Sequence, residues 1–354
     1  MDRMGLWRHG PIAWMGAALL MGILAGAPPL QAQTTPDFYA GKTISMTVGY
    51  APGGIYDINA RLTAKYLTKH LPGHPTVIVR NVPGAGGLTQ ANQLYNVAAR
   101  DGTEIGIIGR AAPQLAVLGE PGPRFDPAGF NWIGSSSSYQ DDAYILFVRS
   151  DMGLASFEAA LSTKKKINFG AGGPGSSNLS FGNIASDVLG LNLSIIKGYA
   201  GAAPIVLAMQ TGELDSTVMG YSSIRAGQRD LLDSKRIVGL VQFGRTTRHP
   251  EFPDTPTARE SAKTENDRVL IELAEAPFFM ALPFAAPPGV PADRVALLRT
   301  AFMQLHLDPD YLAEAKKLDL DVSPLDGEAV QALIQRMTQT PKPVIERFKA
   351  IMNK

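Results

Sequence analysis

The 354-residue chain contains no cysteine. That absence excludes disulfides, thiol nucleophiles, thiolate metal sites and a lipid-modified N-terminal cysteine. Net charge is nearly absent too, +1 at pH 7, so no general field draws the chain to nucleic acid or to an anionic membrane. No short-period repeat, Walker loop or G-x-S-x-G elbow is present. Histidine is scarce, with five residues. His70 and His74 have metal-like spacing, but Pro72 and Gly73 between them keep them off a common helix face. No general-base constellation forms around the others, and no metal or cofactor is expected.

What remains is a globular, turn-rich composition: 45% apolar residues, 18% charged and 36 glycines. The length allows two domains with substantial cores. Arg3 and Arg8 precede an apolar run from Ile12 to Leu24, and Leu30-Gln31-Ala32 has the small-residue form of a cleavage site. This is the pattern of an export leader covering residues 1–32, removed after Ala32. The run is too short and too glycine-rich for a comfortable membrane span. Without the leader, the chain is neutral, and a soluble periplasmic address follows.

Hydrophobic periodicity then gives strands over Lys42 to Tyr50, Thr76 to Arg80 and Glu104 to Ile108, alternating with helices over Asp57 to His70 and Leu88 to Ala99. Alternation with short connections implies a parallel sheet covered by helices. Between Pro113 and Ser138 the pattern loosens, and the serine run Ser135 to Ser138 has the composition of a surface connection. A first crossing to a second domain is expected near Tyr139 to Ser150. The theme then repeats, with strands at Tyr144–Val148, Lys166–Phe169, Leu193–Ile196, Leu214–Met219 and Arg236–Phe243. Phe278 to Ala285 is expected to be the extended return crossing, and three helices, the last from Glu328 to about Met352, close the chain. The expected fold is α/β, two doubly wound domains joined by two crossing strands that act as a hinge. The expected boundaries are 37–143 with 284–354, and 144–283.

Glycine loops end several of these strands and open helices. The most prominent are Pro52-Gly53-Gly54 before Asp57, Pro83-Gly84-Ala85-Gly86-Gly87, Gly170 to Ser177, and Gly198-Tyr199-Ala200-Gly201. Each is equally a tight connection or a place where helix N-terminal N–H groups meet an anion. Ligands of doubly wound sheets bind at the carboxyl ends of strands, so two such sheets facing across a hinge suit a small anion. Gly170-x-Gly172-x-x-Gly175 matches the dinucleotide fingerprint in letters, but the next strand ends in Lys197 without a ribose-binding carboxylate.

From Phe38 to Met352 the chain resembles the extracytoplasmic solute-binding receptors of tripartite tricarboxylate transporters. The resemblance is carried by Gly41-Lys42, Pro52-Gly53-Gly54 with Asp57, Asn81 to Gly87, Asp101-Gly102, Gly170 to Ser176, Gly198 to Ala202, Gly212 to Asp215, Pro253 to Thr257 and Ala286 to Pro291. It implies a two-domain periplasmic binding protein, not an enzyme, that closes on a small carboxylate and delivers it to integral-membrane permease subunits. A monomer that does not bind nucleic acid is expected. On the first domain the implied ligand positions are Gly53, Gly54, Asp57, Ala85 and Gly86. On the second they are Gly175, Ser176, Ser177, Tyr199, Ala200, Gly201 and Ala202. Ile55 and Tyr56 depart from the family's usual glycine-rich first loop, and Arg110 stands where a small hydroxyl residue is more usual. Arg110 either pairs with a ligand carboxylate or forms a surface salt bridge, and Tyr221 either lines the pocket or packs. Asp57 is expected to order its own loop. Two other readings stay open at this point: a periplasmic hydrolase of a carboxylic substrate, and the ligand-presenting component of a sensor kinase system.

Overall fold

The computed structural model describes residues 38–140, 142–173 and 176–354. The expected leader, residues 1–32, lies outside these, as does Gly175. In chain order the first half runs β1 (Thr43–Val48), α1 (Ile55–His70), β2 (Thr76–Asn81), α2 (Leu88–Asn96), β3 (Glu104–Ile107), α3 (Ala112–Val117) and β4 (Asn131–Ser135). The second sheet is built from β5 (Tyr144–Arg149), α4 (Phe157–Ser162), β6 (Ile167–Gly170), α5 (Ser177–Asp187), β7 (Leu193–Ile196), α6 (Ala202–Thr211), β8 (Ser216–Gly220), α7 (Tyr221–Gly227), α8 (Arg229–Asp233) and β9 (Ile237–Phe243). Helix α9 (Glu265–Phe279) leads back to β10 (Pro283–Ala286), followed by α10 (Ala292–Leu305), α11 (Pro309–Lys317), β11 (Leu325–Asp326), α12 (Gly327–Thr338) and α13 (Lys342–Met352).

The first lobe holds a six-stranded sheet in the order β11-β4-β10-β3-β1-β2, the second a five-stranded sheet in the order β7-β6-β8-β5-β9. β1, β2 and β3 run parallel, whereas β10 is antiparallel to both β3 and β4. In the second sheet β6 is parallel to β7 and β8, and β5 is antiparallel to β8 and β9. β10 and β5, the strands that follow the two crossings, are antiparallel to their neighbours, as is the short β11 to β4.

Helix α1 shows how sequence fixes an element. Leu62, Tyr66 and Leu67 bury one face, while Lys65 and Lys69 stay in solvent. The basic Lys69 and His70 in its last turn suit the negative helix end, and both meet Asp308 at 2.8 Å. His74 contacts the Thr68 carbonyl at 3.1 Å. His306 is buried between the Phe302 carbonyl (2.7 Å) and Tyr311 Oη (3.2 Å), and burial pushes its pKa down to about 4. Among the described residues no group of three or more His, Asp or Glu side chains is placed to hold a metal.

The apolar interior does not divide cleanly between the sheets. One cluster holds Leu94, Phe130 and Trp132 from the first lobe together with Phe169, Phe181 and Phe243 from the second. Leu270 and Leu273 of α9, Ile334 of α12 and Phe348 of α13 join it. α13 packs on both α5 and α9, so the C-terminal helix is fastened to the second lobe although its chain neighbours belong to the first. A second cluster packs α1, α10 and α11 on the six-stranded sheet, with Met46, Phe284 and Phe302 at its centre. A third packs Phe147, Ile205 and Met209 within the second lobe.

Several expectations are corrected. The serine run is not a surface connection: Ser135 ends β4, and Ser135, Ser136 and Ser137 are fully buried. The two crossings run side by side there, with Ser136 N donating to Leu282 O at 3.1 Å and Ala281 N to Ser137 O at 2.9 Å. The Ser135 hydroxyl satisfies groups that the irregular buried backbone leaves over. Ser135 Oγ accepts from Leu282 N at 3.1 Å and donates to Ser137 O at 2.7 Å. Phe278 and Phe279 are not extended but form the last turn of α9, and the return crossing is only Met280 to Leu282 before β10. Glu328 to Met352 is not one helix, since Pro341 and its neighbours separate α12 from α13.

Candidate functional site

The first-lobe loops after β1, β2 and β3 converge through two tyrosines. Tyr50 and Tyr56 stack at 4.3 Å. Tyr50 Oη donates to Gly86 O at 3.1 Å, and its ring lies so close to Gly87 and Gly109 that a Cβ at either would touch it. Gly84, Gly86 and Gly87 all have positive φ, which glycine adopts without the cost a Cβ imposes. Ala85 shares that backbone at φ 46°, an uncommon conformation for a residue with a Cβ. Tyr56 Oη accepts from Arg110 N at 3.1 Å and donates to Ala281 O at 3.4 Å. Burial pushes the Tyr56 hydroxyl up to about 12, so it stays protonated.

Asp57 is buried in the first turn of α1. Its carboxylate accepts from Gly53 N (2.8 Å), Asn81 Nδ2 (2.8 Å) and Arg61 Nε (3.0 Å). Burial alone would raise its pKa, but these donors outweigh it and hold the group down to about 2. Gly53 adopts φ 84°, and Gly53, Gly54 and Ile55 are exposed, so the loop is fixed from behind and open in front.

Arg110 is not a surface salt bridge. Its guanidinium lies 5.6 Å from the Tyr139 ring in the first crossing and 4.8 Å from the Phe278 ring at the end of α9. Both are cation–π distances. It also lies beside the Tyr144 hydroxyl, which burial pushes up to about 12. Among the described residues no carboxylate forms an ion pair with it.

In the second lobe, the loops after β6 and β7 meet: Ala171 N donates to Ile196 O at 2.9 Å, and Tyr199 N to Ala171 O at 3.2 Å. Asn178 here has the part Asp57 has in the first lobe. Its side-chain oxygen accepts from Gly172 N (3.2 Å) and Leu179 N (2.9 Å). Ser176 precedes α5 without capping it, and its Oγ is buried with no hydrogen-bond partner. Ser177 is half-buried, while Ala200, Gly201 and Ala202 are exposed at the start of α6. Tyr199 gives its hydroxyl to Glu213 at 2.7 Å. Tyr221 does not line an opening: its ring is buried against His249 (4.8 Å) and Phe252 (5.3 Å). The residue after it, Ser222, instead donates through N and Oγ to Asp142, at 2.9 and 2.6 Å.

Side-chain capping varies along the chain, and α3, α7, α8, α10 and α13 start without a side-chain cap. Ser156, Thr264, Asp308 and Asp326 cap α4, α9, α11 and α12 with their side chains. The helices that follow the glycine loops, α1, α2, α5 and α6, start at Gly54, Gly87, Ser176 and Gly201 without a side-chain cap. Their ends carry partial positive charge; Leu88 N and Thr89 N of α2 are met by Ala85 O and Gly84 O, and Leu179 N of α5 by Asn178 Oδ1. Gln114, Tyr139 and Phe278 were missed from sequence because their partners lie far along the chain.

A fold of two α/β lobes joined by paired crossings, with uncapped helix starts on the strand-end loops, defines the class of two-lobed solute-binding proteins. Residues 58–349 match the model of the tripartite tricarboxylate transporter family receptor, and the chain belongs to that family. It is 25% identical to a UPF0065 protein of Bordetella pertussis over 96% of this chain and 98% of that one. It is 26% identical to the UPF0065 protein in the gbd 5′ region of Cupriavidus necator, covering 95% of this chain and 96% of that one. Among solved structures, a ligand-free TctC solute-binding protein from Polaromonas superposes with a TM-score of 0.67 at 21% identity, covering 89% of this chain and 99% of that one. Proteins of this family are periplasmic solute receptors, not enzymes, which bind small carboxylates and work with membrane permeases. No described helix is long and apolar enough to cross a membrane.

Proposed function

We propose that this chain captures a small carboxylate between its lobes and delivers it, as a monomer, to integral-membrane permease subunits of the tripartite tricarboxylate type. One end of the solute lies on the uncapped starts of α1 and α2, near Gly53, Gly54, Ile55, Ala85 and Gly86. The second-lobe residues Gly175, Ser176, Ser177 and Tyr199 to Ala202 close over the other end. Asp57 serves the loop and not the solute. The leader is removed after Ala32, which N-terminal sequencing of exported protein checks; a start at Met1 contradicts it.

The observation that carries the reading is Arg110. A guanidinium resting on two rings, with no carboxylate partner among the described residues, stands where three first-lobe loops and both crossings meet. Its counter-charge is then supplied by the solute, as a bidentate pair in a partly dehydrated site. Thermal-shift measurement with a panel of mono-, di-, tri- and aromatic carboxylic acids tests this. An acid at a hundred times its dissociation constant adds about 2.7 kcal/mol of stability. For a chain of this length that is on the order of 4 °C. Arg110→Ala should lose most of the shift while melting near the wild-type temperature without ligand. Absence of a shift with every acid, or an unchanged shift in the Arg110 variant, overturns the assignment.

A further inference from the structure

Three groups of the first lobe, on α1, on the loop after β3 and on α3, land on one short stretch of chain. Tyr56 Oη donates to Ala281 O at 3.4 Å, the Arg110 guanidinium lies 4.8 Å over Phe278, and Gln114 Nε2 donates to Leu273 O at 2.7 Å. Together they grip residues 273–281, the last turns of α9 and the return crossing.

The Gln114 contact has a specific cause. Pro277 lies inside α9, four residues after Leu273. Proline has no N–H, so the carbonyl of Leu273 lacks its i→i−4 donor. Leu273 and Pro277 are both buried, and a buried carbonyl without a partner is costly. Gln114, in the first turn of α3, supplies the missing donor from the other lobe. Its helix begins two residues after Arg110. We infer that Gln114 is a positioning residue: it ties the loop that carries Arg110 to the hinge helix, so that movement of that loop reaches the return crossing through a backbone carbonyl. The use of this tie in solute capture rests on the receptor reading; the tie itself is tested without any solute.

The absence of cysteine allows two to be introduced cleanly. Ile78→Cys on β2 and Leu207→Cys on α6 place spin labels at exposed positions, 50% and 61% accessible, one on each lobe. The distance distribution between them is measured in ligand-free protein. Gln114→Met keeps the side-chain length and removes the donor. One hydrogen bond of about 1 kcal/mol changes the ratio of lobe separations roughly fivefold. In a Pro277→Ala background the new N–H serves Leu273, and Gln114→Met should then change nothing. An unaltered distribution in the Pro277 protein, or the same change in both backgrounds, overturns the inference. Should the double-cysteine variants fold poorly, amide exchange across residues 278–282 is measured in Gln114→Asn, whose amide is one methylene short. Faster exchange is expected there, and unchanged exchange counts against the tie.

Discussion

Replacing Asp57 by asparagine tests whether the first glycine loop is held by a charge. In the wild type the carboxylate is 3% exposed and has three donor groups, Gly53 N, Asn81 Nδ2 and the Arg61 guanidinium. Its pKa falls from 3.8 to about 2, equivalent to about 2.4 kcal/mol of folding free energy. The folded value lies below the unfolded one. The contribution is therefore complete above about pH 5 and is lost as pH falls through 2, with about half remaining at pH 3. Asparagine keeps the shape but turns one acceptor into a donor that faces donors. For a chain of this length, an unfolding entropy on the order of 0.7 kcal/mol/K makes 2.4 kcal/mol worth about 3 °C. Asp57→Asn should melt about 3 °C below wild type at pH 7 and by roughly half as much at pH 3. Calorimetry at the two pH values decides. Equal melting at pH 7, or a gap that does not narrow at pH 3, refutes the charge argument and leaves the loop held by shape alone.

Two further substitutions probe the hinge region. Glu275 is fully buried, with Gly244 N donating at 2.9 Å and Arg259 Nε at 2.6 Å, and burial pushes its carboxyl up to about 7 against both donors. A raised folded value means stability that is present below the unfolded value near 4.5 and is lost as pH rises through 7; Glu275→Gln should flatten the fall in melting temperature between pH 5 and 8, and an unchanged slope counts against it. Gly134 of β4 has no room for a side chain: a Cβ there would touch Phe302 and come within 2.8 Å of Leu325 O. Gly134→Ala should cost about 3 kcal/mol in urea titration, and a loss under 1 kcal/mol would show that β4 can shift.

The parts of the fold that sequence made legible are those with local causes. β1, β2, β3 and the helices between them follow from periodicity and glycine punctuation, and each lies close to where its pattern places it. The loop residues around Gly53, Gly84 and Gly201 were legible for the same reason. Ser135 to Ser137 misled because composition says surface, while their burial depends on pairing with Leu282 and Ala281, nearly 150 residues away. Phe278 misled because an apolar run is neutral between strand and helix; α9 is decided by the Thr264 cap and by packing on α12 and α13. Tyr221 was ambiguous because a tyrosine after a strand-end glycine can turn either way. Here His249 and Phe252, from the connection between β9 and α9, bury it.

Charge explains how Asp57 is compatible with the proposed anion site. A carboxylate in the first turn of α1 complements the helix end but would repel a ligand of its own sign. Arg61, one turn later, meets both of its oxygens, at 3.0 Å through Nε and 2.9 Å through Nη2. The pair is neutral as a whole and hydrogen-bonded to the loop behind it, so it fixes Gly53 without projecting charge. In a chain whose acidic and basic residues nearly balance, attraction for an anion has to be local. Lys65, Lys69, Arg149 and Arg259 are each committed to carboxylates. The uncapped starts of α1, α2, α5 and α6 contribute only partial charges. Arg110, held against rings that neither neutralise nor hydrate it, supplies a full one. On the proposed reading, a solute that pairs with it draws the guanidinium away from Tyr139 and Phe278, beside the two crossings, and so acts on the hinge.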